Sequence, residues 1–179
     1  MSGSTLLFVC TGNICRSAFA AAALRARVGD RADTCVVSAG IRAMQGWPMD
    51  PGMARAGAEL GLALGGHEAR QVTGRMIANT AAVVVFGPEH RAWMRQEFPE
   101  HMGRVLAIGQ VARGLGMLPR NRRLPLTQVV EAVTSGAPRI VDTDWIEDPY
   151  GYDDRVKMIC AKRILAAVDI LATRVDWGD

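Results

Sequence analysis

An α/β domain built on a parallel sheet is the fold class this sequence predicts, and three observations lead there. Short apolar or β-branched runs alternate with helix-forming stretches four times along the chain. One of those runs, residues 81–86 (AAVVVF), is apolar throughout, as a strand covered on both faces must be. Near its end the chain carries a long amphipathic stretch. There Val156, Cys160, Ile164, Val168, Leu171 and Val175 form one stripe, with Arg155, Lys157, Lys162 and Arg174 off it.

Residues 6–9 (Leu6, Leu7, Phe8, Val9) read as a buried strand, followed by a tight loop over 10–14 and a helix beginning near Arg16. The alanine-rich run 17–28, with Leu24 and Val28 at helical spacing, ends near Gly29 and Asp30. Residues 34–37 are a short second strand stopping at Ser38-Ala39-Gly40. Glycine and proline punctuate a loop over 41–51 that holds Trp47. Pro51 then opens a helix predicted to run through Met53, Leu60 and Leu62 to Gly65 and Gly66.

The polar stretch 67–75 leads to the strand at 81–86. A helix over 88–98 follows, opened by Pro88 and Glu89 and closed by Pro99, and residues 104–108 form a fourth strand. Residues 110–143 are less legible. They hold a helical piece near 126–133, preceded by the basic turn PRNRRLP at 119–125. That turn reads either as a contact for an acidic or phosphorylated partner or as a solvated loop.

At 179 residues and 49% hydrophobic, the chain fills one core and is short for two. No repeat, low-complexity segment or linker divides it, so residues 1–179 are expected to form a single domain. The net charge of +3 is mild, and Lys157 and Lys162 are the only lysines. No stripe of basic and aromatic residues marks a nucleic-acid surface. No basic n-region precedes the first apolar run, and no run is long enough to span a bilayer. Cysteines at 10, 15, 35 and 160 lack paired C-x2-C spacing, so neither a zinc site nor a disulfide framework is expected. A soluble, reducing, cytoplasmic setting follows as an expectation, with no membrane insertion and no nucleic acid.

The chemistry concentrates at LLFVCTGNICRS, residues 6–17, where Cys10 and Arg16 have five residues between them. Gly12 and Asn13 tolerate the dihedrals that aim successive N–H groups at one anion. The helix behind adds its unpaired N–H groups and its positive dipole end. A cysteine at that focus is expected as a thiolate, with the arginine fork beside it binding phosphate. Such a thiolate can attack phosphorus, and a carboxylic acid must then protonate the leaving oxygen. Asp148, in Glu147-Asp148-Pro149-Tyr150, is the candidate, because the following proline restricts its backbone.

CTGNICRS resembles the phosphate-binding loop of the low-molecular-weight protein tyrosine phosphatases, with its C-x5-R-S pattern at the end of the first strand, and Asp148-Pro149-Tyr150 resembles their general-acid segment. The resemblance implies a single three-layer, flavodoxin-like domain. Its four parallel strands would run in order 2-1-3-4, with helices on both faces and the site at the strands' carboxyl ends. It implies Cys10 as nucleophile, Arg16 as phosphate clamp and Asp148 as general acid and base. Thr11, Gly12, Asn13, Ile14, Cys15 and Arg16 would surround the phosphate. Asn13, Ser17, Ser38 and His67 would support the loop, a polar network holding the strained asparagine ready. Tyr150 and Tyr152, with Trp47, would form the pocket rim.

No metal or cofactor is implied. The implied partner is a phosphotyrosine-containing protein, a bacterial tyrosine kinase at family level, acted on by a monomer. Cys15 is either a small apolar loop residue or the thiol that condenses with oxidised Cys10 to a reversible disulfide. The chain departs from the family at Ala18, at Ala43 and Met44 (where a pocket aromatic is usual) and at Gly87 (where an aspartate is common). The segment between Gly109 and Glu147 is also longer than usual. Two other readings share the loop: arsenate reductase on the same scaffold, needing Cys35 or Cys160 as relay thiols, and a phosphotyrosine-binding module without turnover.

Overall fold

The computed structural model describes residues 5–29 and 36–178. Strand β1 (Thr5–Cys10) leads through the loop into α1 (Arg16–Val28), then β2 (Val36–Gly40) and α2 (Pro51–Glu59). Helix α3 (Gly74–Ala78), strand β3 (Thr80–Val85), α4 (Pro88–Glu97), β4 (Val105–Ala107) and α5 (Ile108–Gly116) come next. The remainder is β5 (Leu124–Pro125), α6 (Val129–Gly136), α7 (Asp154–Arg174) and β6 (Val175–Asp176). Among the described residues the main sheet has four strands, all parallel, in order β2-β1-β3-β4.

Strand alternation divides the core into two layers. Leu6, Phe8, Ala82 and Val84 face the side carrying α1, α5 and α7, where Phe19, Leu24, Ile164 and Val168 meet them. Leu7, Val9, Val83 and Val85 face the other side and pack with Ile77 of α3 and Met94 of α4. Both faces are covered, which is why β1 and β3 are apolar without a break. The expected stripe on α7 is realised: Cys160, Ile164, Val168 and Leu171 are buried, whereas Val156 is half-buried.

Several boundaries move. The second strand runs Val36–Gly40 instead of stopping at Ser38, because pairing with β1 continues to Cys10 opposite Gly40. Thr34 and Cys35 lie outside the described residues. The helix opened by Pro51 ends at Glu59, where Leu60 and Gly61 turn the chain. Ile108 belongs to α5 and not to the fourth strand, since an apolar residue at that junction suits either element. The piece near 126–133 is a short 3-10 turn followed by α6.

Residues 109–146 form a unit fastened at both ends. Gly114 lies against the backbone of Val133 and Gly136, so α5 and α6 approach closely backbone to backbone. Asp144, fully buried, accepts two bonds from Arg113 at 2.8 and 2.7 Å and one from the Val141 N–H. Ile146 N–H then donates to Phe86 O at 2.9 Å, delivering the chain to the end of β3. The arginines of the 119–125 turn are exposed, and Arg174 binds the carbonyls of Pro119 and Arg120.

Candidate active site

The loop between β1 and α1 owes its shape to what binds its carbonyls. Cys10 O accepts from Ile41 N, Thr11 O from Arg42 N, Gly12 O from Met44 N and Ile14 O from Asp50 N, at 2.8–3.0 Å. Asn13 O accepts from His67 Nε2 at 2.6 Å, and Cys15 O from Phe19 N within the helix. Every carbonyl from 10 to 15 is thus held outward by segment 41–50, His67 or the first helical turn. No peptide bond here is cis. In a trans peptide the next residue's N–H points opposite to the carbonyl, so the N–H groups of residues 12–16 converge inward. That convergence is an anion nest at the N-terminus of α1.

Asn13 is the described non-glycine residue with positive φ, at 57°. Its side chain holds it there: Nδ2 donates to Ser17 Oγ and to Ser38 Oγ, both at 3.0 Å, and Oδ1 accepts from Arg70 N at 2.9 Å. Gly12, expected to use glycine's freedom, does not; a Cβ there would make only ordinary contacts with Ile14 and Met44. Gly40 is the glycine the loop requires, because a Cβ on it would strike Thr11 O at 2.5 Å.

Cys10 Sγ is buried and lies 2.9 Å from Ser17 Oγ. Arg16 is 2% exposed: Nη2 pairs with Asp148 Oδ2 at 2.8 Å, Nη1 donates to Ile146 O at 3.0 Å, and Nε is buried without a partner. A buried guanidinium N–H left unpaired costs about 1–3 kcal/mol, so this edge is built for a ligand. Asp148 is half exposed and caps its own turn by accepting from Tyr150 N. A cavity of about 150 Å³ is lined by Cys10, Thr11, Gly12, Ile14, Cys15, Arg16, Arg42, Met44, Asp148 and Tyr150.

The structure therefore brings together Cys10, Arg16, Asp148 and the loop, with Ser17, Ser38 and His67 behind it. His67 bonds the main chain of Asn13 and not its side chain. Its burial holds the imidazole below its usual pKa, opposed by that bond. Of the expected rim residues, Tyr150 lines the cavity, and Trp47 and Tyr152 are exposed outside its lining. Met44 takes the wall where a family aromatic was missed, because segment 41–50 must turn its backbone to the loop carbonyls and this fixes which side chains face in.

Sequence reasoning missed five contributors. His90 is wholly buried; its Nδ1 accepts from Gly87 N at 2.9 Å and its Nε2 lies 3.0 Å from Thr11 Oγ1. Burial, and then Arg16, lower its pKa to about 3. Glu89 approaches Arg16 Nη1 at 3.7 Å. Arg42 opens onto the cavity mouth. Asp50 caps α2 and pairs with Lys157 of α7 at 3.0 Å, both largely buried. The available signal was strand order: in a 2-1-3-4 sheet the residues after β3 flank the loop after β1.

Cys15 and Cys160 share the core cluster with Cys10. Burial raises both thiols above their ordinary range, Cys160 to about 12, and Asp50 and Cys10 push Cys15 further. Among the described residues no group of His, Cys, Asp or Glu could hold a metal ion, and no helix is long and apolar enough to cross a membrane.

Residues 5–116 match the family described as low molecular weight phosphotyrosine protein phosphatase. The chain belongs to that family. It is 30% identical over 141 residues to the probable low molecular weight protein-tyrosine-phosphatase EpsP of Ralstonia nicotianae, covering 76% of this chain and 95% of that one. It is 35% identical over 107 residues to Etp of Escherichia coli K12, covering 60% and 70%. Wzb, the tyrosine phosphatase of Escherichia coli K30, superposes with a TM-score of 0.71 at 22% identity, covering 95% of this chain and 96% of that. YwlE, an arginine phosphatase of Geobacillus stearothermophilus, does so at 0.70 and 24%, covering 94% and 90%. The low molecular weight phosphatases are hydrolases of phosphoric monoesters, and the described residues have their fold.

Proposed function

We propose that residues 1–179 act as one phosphatase domain that hydrolyses phosphotyrosine in proteins through a phosphocysteine intermediate. The observation that carries this reading is the outward capture of every loop carbonyl around Cys10, with the unpaired Arg16 Nε beside it. The N–H groups of residues 12–16 and Arg16 hold the three non-bridging oxygens. Ser17 Oγ, 2.9 Å from the sulfur and 3.3 Å from Ala39 O, can turn its one hydroxyl hydrogen from that carbonyl to the thiolate. Cys10 Sγ forms a bond to phosphorus as the bond from phosphorus to the tyrosyl oxygen breaks, and the Asp148 carboxyl gives that oxygen its proton. In the second step Asp148 takes a proton from water, the water oxygen bonds phosphorus, and the thiolate leaves with inorganic phosphate released.

Ile14, Met44 and Tyr150 supply apolar walls suited to a phenyl ring. The fold alone does not choose the phosphorylated residue, since an arginine phosphatase shares it. Arg42, exposed at the mouth and free of any ion pair among the described residues, favours acidic residues beside the phosphotyrosine. On the family pattern the phosphotyrosine-bearing partner is a bacterial tyrosine kinase.

The test is hydrolysis of p-nitrophenyl phosphate, a phosphotyrosine peptide and phosphoarginine in EDTA. Expected are turnover of the first two, none in Cys10→Ser, and a fall of roughly 10²–10⁴-fold in Asp148→Ala. Phosphoarginine as the better substrate, arsenate-dependent thiol oxidation, or binding without turnover would each replace the proposal.

A further inference from the structure

Gly87 caps α4 with an extended backbone, φ −144° and ψ 159°, that any residue adopts. The backbone therefore does not require glycine there. A Cβ built there would collide with the carboxylate of Glu89, which folds back over the end of β3. Two groups face that half-exposed carboxylate. Because His90 Nδ1 accepts from the Gly87 N–H, its proton sits on Nε2, which lies 3.2 Å from Glu89 Oε1 and 3.0 Å from Thr11 Oγ1. The same oxygen faces Arg16 Nη1 at 3.7 Å.

We infer that Glu89, in the space left by Gly87, is a positioning residue for Arg16. The inference rests on the proposed phosphatase reaction. Arg16 has two carboxylate neighbours, and Asp148, the nearer, is assigned the proton for the leaving oxygen. While Asp148 carries that proton it is no anionic partner for the guanidinium. Glu89 and the Ile146 carbonyl then hold the Nη1 edge. The Nε and Nη2 edge is left turned toward the transferring phosphoryl group, the bidentate geometry an arginine offers to phosphate. His90 Nε2 bonds Thr11 Oγ1 and lies against Glu89, which places it between the clamp and the loop.

The experiment compares Glu89→Ala, Glu89→Gln, Gly87→Ala and the Gly87→Ala/Glu89→Ala double variant with wild type. It measures kcat and KM for p-nitrophenyl phosphate, inhibition by inorganic phosphate, and urea unfolding. Each single variant should lose roughly three- to tenfold in kcat/KM, chiefly in kcat, because the clamp acts on the transition state. Gly87→Ala should act by displacing Glu89, so the double variant should be no worse than Glu89→Ala alone. Additive losses would overturn the inference, as would kcat/KM within twofold of wild type. Tighter phosphate binding with kcat unchanged would also sink it, since Glu89 would then only screen Arg16. Losses that track unfolding free energy would reduce Glu89 to a helix-end charge. Absent turnover in wild type would strike the phosphatase reading itself, which the ratios between active variants do not test.

Discussion

Replacing Asn13 by alanine removes the residue on which the loop's conformation depends. The side chain is fully buried and makes three hydrogen bonds, to Ser17 Oγ, Ser38 Oγ and the Arg70 N–H. Each of these hydrogen bonds contributes about 1 kcal/mol net. Alanine in the left-handed region costs a further ~1 kcal/mol. The expected destabilisation is therefore about 4 kcal/mol by urea unfolding, with a rise of tenfold or so in the inhibition constant of inorganic phosphate. Asn13→Gly keeps the conformation without the bonds and should be less damaged than alanine by about 1 kcal/mol. Two results would refute the reasoning: a loss under ~1 kcal/mol in Asn13→Ala, or alanine and glycine behaving alike. The first would mean water replaces the network, and the second that backbone strain plays no part.

Acid should destabilise the fold through His90. The unfolded chain takes up that proton near the ordinary pKa of 6.5, the folded chain only near 3, so between those values the unfolded state binds more protons. Stability is then fully present above the unfolded pKa and is lost as pH falls, by about 2 kcal/mol between pH 7 and 5; in urea titrations, His90→Gln should flatten that limb, and an unchanged slope would exclude His90 as its source. Arg42→Glu should lower kcat/KM for an acidic-flanked phosphotyrosine peptide by roughly tenfold while leaving p-nitrophenyl phosphate within about twofold; equal losses would move Arg42's effect from substrate flanks to the loop. Asp50→Ala removes the cap of α2 and strands the Lys157 ammonium, 13% exposed, so urea unfolding should show a loss of about 3 kcal/mol, more than Lys157→Met shows.

The parts of this protein readable from its sequence are those whose cause is local. Strands β1 and β3 are apolar because both faces are covered, and Pro51 and Pro88 open α2 and α4 where expected. Cys10, Asn13 and Arg16 lie within one loop and its helix start, so their spacing already describes their geometry. What was hidden depends on pairing across the sheet. Ser38-Ala39-Gly40 has turn composition yet extends β2, because β1 offers it partners as far as Cys10. Glu89 and His90 look like the first turn of an ordinary helix until the β1–β3 pairing sets them beside Thr11 and Arg16. Which side chains of 41–50 face the cavity is likewise set by backbone bonds, which aim Met44 and Arg42 there.

The fastening of Asp144 to Arg113, and of Ile146 to Phe86, has an evolutionary reach. Between the end of α5 and Asp144 the chain buries Leu124, Leu126, Val129 and Val133 in the main core, and Asp148 follows the second anchor. The exposed turn at 119–123 can therefore be redecorated without moving the anchors that set the distance from Asp148 to Cys10.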